Sequence, residues 1–181
     1  MAKLTRIYYG NPILRKRTAL ITEITPEIRQ LAADMISMFG PWSAAGLAAP
    51  QVGYSIRLFV LAPFIGEEKG HYKYGTPRVY INPVLSEPSK ITDIHSEGCI
   101  SIPGIWPMVE RPYEITIEGI DLDGKPFRER ASGYYARQLQ HECDHLDGIL
   151  MTDPSRVRFK KPQEKQWLKQ DLLTIEKKFR S

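Results

Sequence analysis

Apolar residues recur at Ile28, Leu31, Met35, Met38 and Phe39, a helical spacing that follows Thr25-Pro26-Glu27. Thr25 suits an N-cap, Pro26 the first helical position, and Glu27 the positive end of the helix dipole. Gly40-Pro41 is expected to end the run. Strand-like runs follow at 57–61, 78–82 and 113–122. In the last, Tyr113, Ile115 and Ile117 alternate with Glu114, Thr116 and Glu118, as one buried face requires. Asp123-Gly124 reads as a hairpin turn, with 125–131 as the returning strand. A second helix is expected from Ser132 to Gly148, with the glycine as its C′ residue. A third runs from Pro162 to about Phe179, with Leu168, Leu172, Ile175 and Phe179 as its apolar stripe. Helices and strands are segregated rather than alternating, which predicts an α+β fold.

The length of 181 residues suits one domain spanning the chain, ending in a basic helix at about 162–179. Hydrophobic residues are 42% and charged residues 25%, which excludes general disorder. Two cysteines cannot make a disulfide framework, and Met1-Ala-Lys-Leu-Thr-Arg6 does not read as a signal peptide. A reducing cytosol is the expected compartment. Residues 35–56 carry no charge over 22 positions, but Pro41, Pro50, Gly40, Gly46 and Gly53 interrupt them, so no membrane span is expected. Charge is uneven: residues 156–180 hold nine Lys or Arg and three acids, a net of +6, which leaves −2 for the rest of a chain at +4. Such a tail fits a polyanionic partner, or a merely solvated helix face.

The strongest chemical signal lies on the second helix. Residues 140–148 read Gln-His-Glu-Cys-Asp-His-Leu-Asp-Gly, with His141 and His145 four apart. On a helix that spacing puts two imidazoles about 40° apart on one face, one turn up. They can take two corners of a metal's tetrahedron, with Glu142 beside them to hold a water. A third ligand is then required. The metzincin position is Met151, and Glu164 sits among Lys160, Lys161 and Lys165, where a solvated face explains it better. Cys99, just after Gly98, can reach a metal because the glycine relieves backbone crowding. Cys143, about 200° around the helix from His141, is read as core.

Three separated motifs carry a resemblance: Gly46-Leu47-Ala48-Ala49-Pro50-Gln51, Glu97-Gly98-Cys99-Ile100-Ser101, and Gln140 to Gly148. Together the chain resembles the peptide deformylases, from about Tyr9 to Met151. The resemblance implies a mixed or antiparallel set of strands around a central helix bearing the HExxH motif, with N- and C-terminal helices. It implies a bacterial cytoplasmic hydrolase that removes formate from the N-formylmethionine of nascent proteins. Cys99, His141 and His145 would bind one divalent ion, Fe²⁺ in the cell, with Zn²⁺, Ni²⁺ or Co²⁺ able to use the same ligands. Glu142 would be general base and then acid, and Gln51 and the Ile100 N–H would form the oxyanion site. Gly46 and Leu47 would lie beside the substrate, and Glu97 would pair with Arg111. The chemistry is coherent. A formamide is unactivated, so it needs a strong nucleophile, a donor for the developing oxyanion and a proton for the leaving amine.

The chain departs from the family pattern at several places. Ala44 stands two places before Gly46 where a glycine is usual, Ile100 replaces leucine, and Trp106 replaces a basic residue. Tyr134, Arg137 and Gln138 fall on the face of His141, and the two polar ones put the side-chain preference of an apolar methionine pocket in question. Two other readings use the same residues. A zinc peptidase would share the HExxH motif and cleave internal peptide bonds. A ribosome- or RNA-binding module with a structural metal would explain the basic C-terminal helix, but would need a fourth protein ligand. His95 is nearest Cys99 in sequence and is read as a loop or pocket residue, and His71 as an exposed loop residue.

Overall fold

A computed structural model of the protein describes residues 4–159 and 161–179. Lys160 and Arg180, two of the basic residues counted in the tail, lie outside the described residues. Helix α1 spans Pro26–Ser37. The Thr25 hydroxyl does not cap its backbone; it bonds the Glu27 carboxylate instead. Gly40-Pro41 does not stop the chain as expected. A one-turn helix α2, Phe39–Trp42, passes through both, because a first-turn residue needs no intrahelical N–H donor. Ser43, at φ 51°, turns the chain out of it.

The main sheet has five strands in the order β1-β2-β5-β8-β9: Gly46–Ala48, Leu58–Leu61, Arg78–Ser86, Glu114–Ile120 and Pro126–Ser132. Two hairpins stand apart from it: β3 (Phe64–Glu68) with β4 (His71–Tyr74), and β6 (Thr92–Ser96) with β7 (Met108–Pro112). Every ladder among the described residues is antiparallel, so the sheet is not mixed; the parallel pairing is a single bridge, Ala19 to Ile56. The α+β class stands. His71 and His95 lie on exposed strands β4 and β6 rather than in loops.

Both faces of the sheet are covered. Along β2, Leu58 and Val60 pack with Leu31 and Met35 of α1. Phe59 and Leu61 pack on the other side, with Leu139, Cys143 and Leu146 of helix α3, Gly133–Leu146. That is why all four β2 residues are apolar instead of alternating. Cys143 is core, as expected. Gly148 follows α3 at φ 72°, and a Cβ there would lie 2.6 Å from the Arg15 carbonyl oxygen, so only glycine lets the chain turn under that strap.

Helix α4 spans Pro162–Phe179. Its expected stripe does face the body. Leu172 and Ile175 are buried with Leu14, Ile102, Val109 and Leu150, and Leu168 and Phe179 pack at the edge of the same cluster. Phe179 stacks on Tyr8 with ring centroids 3.9 Å apart. Lys165, Lys169, Lys177 and Lys178 are left exposed. No helix among the described residues is long and apolar enough to cross a membrane.

Candidate metal centre and active site

Two elements supply the candidate ligating atoms. Helix α3 places His141 and His145 one turn apart, with ring centroids 5.0 Å apart. The 97–107 loop joining β6 to β7 brings Cys99 across to them. Cys99 Sγ lies 3.2 Å from His145 Nε2, and one donor atom from each of Cys99, His141 and His145 lies within 4.8 Å of the others. Tetrahedral bonds of about 2.3 Å to sulfur and 2.0–2.1 Å to nitrogen require an S···N separation of roughly 3.5 Å, so the donor set fits a divalent ion. The charge distribution fits as well. Burial opposes ionisation of Cys99, yet the facing His145 and His141 pull its thiol well below the usual range. Burial likewise opposes charge on His141, but Cys99 and Glu97 push its imidazole well above the usual range. The pocket thus favours a thiolate against positive charge, which is what a bound cation meets.

His141 is oriented from behind. Its Nδ1 lies 2.9 Å from Glu97 Oε2, which leaves Nε2 for the cluster. Glu97 is itself held by two buried arginines. Arg111 donates from Nε at 2.6 Å and from Nη2 at 2.8 Å, confirming the expected pair. Arg137 donates from Nη1 at 2.6 Å, and its Nη2 reaches Asp93 Oδ1 at 2.5 Å. Burial alone would raise the Glu97 carboxyl, but the bonds from Arg111 and His141 hold it well below the carboxylate range. Arg111 Nη1 continues to Asp144 Oδ2 at 2.9 Å, and Arg156 Nη2 donates to Asp144 Oδ1 at 2.5 Å. Arg137 is therefore not a free polar group in a methionine pocket; it braces the ligand loop. Gln138 is also engaged, accepting from the Phe64 N–H at 2.8 Å.

Glu142 lies on α3 between the histidines and is almost fully buried. Burial pushes its carboxyl up to about 7, against the pull of His141 and His145 and with help from Cys99 and Glu97. Its Oε2 is buried with no hydrogen-bond partner among the described residues. The carboxylate rests against the backbone of Gly46, where a Cβ would lie 2.9 Å from Glu142 Cδ. Gln51 is buried and its amide is fixed. The Ala48 N–H donates to Oε1 at 2.8 Å, which forces Nε2 toward Cys99 Sγ and Ser101 Oγ, each at 3.2 Å. Ile100 lines the same cavity, whose volume is about 540 Å³.

Leu47 offers this cavity no side chain. Side chains alternate along β1, so Gly46 and Ala48 face α3 while Leu47 points to the α1 side and is fully buried there. Any contact it makes with a substrate is through its backbone, on the unpaired edge of the sheet. Glu164 and Met151 take no part in the ligand cluster. Trp106 lies over Gly98, where a Cβ would be 2.8 Å from Trp106 Cε3 and closer to other ring atoms. Gly98 thus makes room for this indole. The sequence does not reveal the bracing roles of Arg137, Asp93 and Arg156, which depend on pairs 12–44 positions apart. Also missed is the N-terminal strap, where Tyr9 N–H bonds the Ser101 carbonyl and Ile7 N–H the Gln51 carbonyl.

A family model described as Polypeptide deformylase matches residues 4–161. A peptide deformylase of Desulforudis audaxviator is 36% identical over 163 residues, covering 90% of this chain and 100% of the relative. That of Pseudomonas aeruginosa is 37% identical over 170 residues, covering 92% and 97%. Among solved structures, a peptide deformylase from Synechococcus elongatus in complex with actinonin superposes with a TM-score of 0.79 at 33% identity, covering 98% of this chain and 89% of that one.

Proposed function

We propose a division of labour at this site from the premise that the chain belongs to the polypeptide deformylase family. It is a hydrolase that removes the N-formyl group from nascent peptides. Cys99, His141 and His145 would hold one divalent ion, which would supply Lewis-acid chemistry at the site. Glu142, poised near neutrality by burial, takes a proton from the attacking water and returns it to the amide nitrogen as the C–N bond breaks. The products are formate and a peptide with a free amino terminus. Gln51 Nε2, already aimed at the cluster, and the Ile100 N–H donate to the formyl oxygen as negative charge builds there. The backbone edge of Gly46 and Leu47 runs beside the peptide. One observation carries the reading: three ligand atoms within 4.8 Å of one another, beside a buried carboxylate that is not one of them.

The test is formate release from formyl-Met-Ala-Ser alongside cleavage of unformylated peptides at internal bonds. Formate without internal cleavage supports the reading; internal cleavage alone supports a peptidase and overturns it. We assign Fe²⁺ as the native ion, because a thiolate–imidazole set accepts iron, zinc, nickel and cobalt, and iron is the family's usual ion. Air should then inactivate the iron-loaded protein through Cys99 and spare the nickel-loaded one; equal losses contradict iron. The proposed setting is the bacterial cytoplasm, with one catalytic domain over the chain. The exposed lysines of α4 are proposed to meet ribosomal RNA, so ribosome cosedimentation should fall steeply with salt and vanish on truncation after Pro154.

A further inference from the structure

Two arginines among the described residues line the catalytic cavity, and their electrical situations differ. Arg137 is paired with Glu97 and Asp93. Arg6, from the N-terminal strap, has no carboxylate partner among the described residues. Its guanidinium carbon lies 4.9 Å from the centroid of the Trp42 ring and 5.9 Å from that of Tyr8. Tyr8 in turn stacks on Phe179 of α4. Arg6 and Trp42 are both half-buried. A guanidinium held over ring faces has lost rotamer freedom in advance, and it keeps N–H donors for a planar carboxylate.

The path from the ligand cluster to Arg6 runs along one strand. β1 is the edge strand of the main sheet. From Gly46, which touches Glu142, the cavity wall continues back through Ala45, Ala44 and Ser43 to Trp42. In the other direction Leu47, Ala48 and Ala49 are fully buried and do not line the cavity. An extended peptide needs a backbone edge for its N–H and C=O groups, and this edge supplies one. With its formyl end at Cys99, His141 and Glu142, the peptide therefore leaves past Ala45 and Ser43. Three residues of extended chain cover about 10 Å, which brings the third or fourth substrate residue to Trp42 and Arg6.

We infer that Arg6, seated on Trp42, binds an acidic side chain at the third or fourth residue of the formylated chain. The inference rests on the deformylase reading above. A carboxylate there accepts charge-assisted hydrogen bonds from a guanidinium already in place, whereas a lysine meets like charge. The cavity's own carboxylates do not compete for Arg6. Glu97 is held by Arg111 and Arg137, and Glu142 is buried against Gly46.

The substrates for the test are formyl-Met-Ala octapeptide amides in a Gly/Ser background, with one Glu, Gln or Lys moved through positions 3 to 8. Amidation removes the terminal carboxylate, which in a short peptide would itself reach Arg6. The intact protein should hydrolyse peptides with Glu at position 3 or 4 about three- to tenfold more efficiently than their Gln counterparts. The gain should come through a lower KM at unchanged kcat, and Lys at those positions should be worse than Gln. The Glu-to-Gln ratio should shrink toward unity at about 0.5 M salt. The same ratio is read within each variant, so a general loss of activity cancels. Arg6→Met should bring it to unity, Arg6→Lys should keep part of it, and Arg6→Glu should make Lys the preferred residue. A ratio of unity at positions 3 and 4 in the parent overturns the inference, as does a gain that survives Arg6→Met. An equal gain from Glu at positions 6 to 8 reflects general attraction of acidic peptides to a basic protein, and overturns it too. Failure of the deformylase reading is distinct: the Gln peptides themselves would release no formate.

Discussion

Replacing Gly46 with alanine adds one methyl group at a position that touches no metal ligand, and should still cripple the enzyme. The backbone tolerates it, since Gly46 is not among the residues at positive φ. Space does not. The new Cβ would lie 2.9 Å from both Glu142 Cδ and Leu61 Cδ1, and nearer still to Glu142 Oε1. Carbon–carbon contacts are comfortable at about 3.5–4.0 Å, so the carboxylate must retreat by roughly 0.6–1 Å. A displacement of that size at a reacting group costs about 10²-fold, or ~2.7 kcal/mol of transition-state stabilisation. Stability should move far less. Overpacking costs about 1–3 kcal/mol, and the stiffer unfolded chain returns about 0.4–1 kcal/mol. The net loss of about 1 kcal/mol lowers Tm by about 2–4 °C. The assay is kcat/KM for formate release from a formyl tripeptide, with metal content and Tm measured on the same preparation. Activity within threefold of the parent at full metal loading would refute the close seating of Glu142 on Gly46. Loss of activity in proportion to loss of metal would do the same.

Gln51→Leu removes the amide donor and should lower kcat by about 10²–10³-fold while the protein keeps its metal; an unchanged kcat in stopped-time formate assays contradicts the oxyanion assignment. Arg111→Met removes the buried cation shared by Glu97 and Asp144, leaving Glu97 to Arg137 and Asp144 to Arg156, and should cost about 3–5 kcal/mol in urea unfolding. Arg137→Met should cost less, because its other partner Asp93 is partly exposed and Arg111 still holds Glu97; the reverse order would argue against Arg111 as the main brace. With metal removed, Cys99 should alkylate with iodoacetamide near pH 7, since the facing histidines lower its thiol, while Cys143, raised by burial, should react only after unfolding. Mass spectrometry of the labelled peptides decides it, and preferential labelling of Cys143 contradicts the placement of both thiols.

Features written in local spacing were legible before any coordinates. The i, i+4 histidines, Glu142 between them, the core placement of Cys143 and the stripe of α4 follow from 3.6 residues per turn. Cys99 stood out because glycine precedes it, although the structure gives that glycine a second task, seating Trp106. What stayed hidden depends on pairing across the chain. Arg137 looked like an intrusion into an apolar pocket because its partners Glu97 and Asp93 are 40 and 44 residues away. The side of the sheet that Leu47 faces depends on strand alternation, which turns its side chain to α1 and leaves only its backbone at the sheet edge. The β6–β7 hairpin was unseen because an eleven-residue loop, 97–107, replaces the tight turn that marks β8 and β9. The β3–β4 hairpin was hidden by its exposed, mixed polarity, with Gly66 and a register shift breaking the alternation.

The assignment of Glu142 as the proton carrier, apart from the three residues that hold the ion, is where the account is most exposed. Glu142→Gln keeps the size of the side chain and removes its ability to accept and return a proton. Metal content and formate release should be measured together on anaerobically purified, fully loaded protein. The account predicts a metal content equal to the parent's, with turnover of a formyl-methionyl tripeptide reduced to a trace. Retained turnover, or loss of the metal in step with activity, would contradict it.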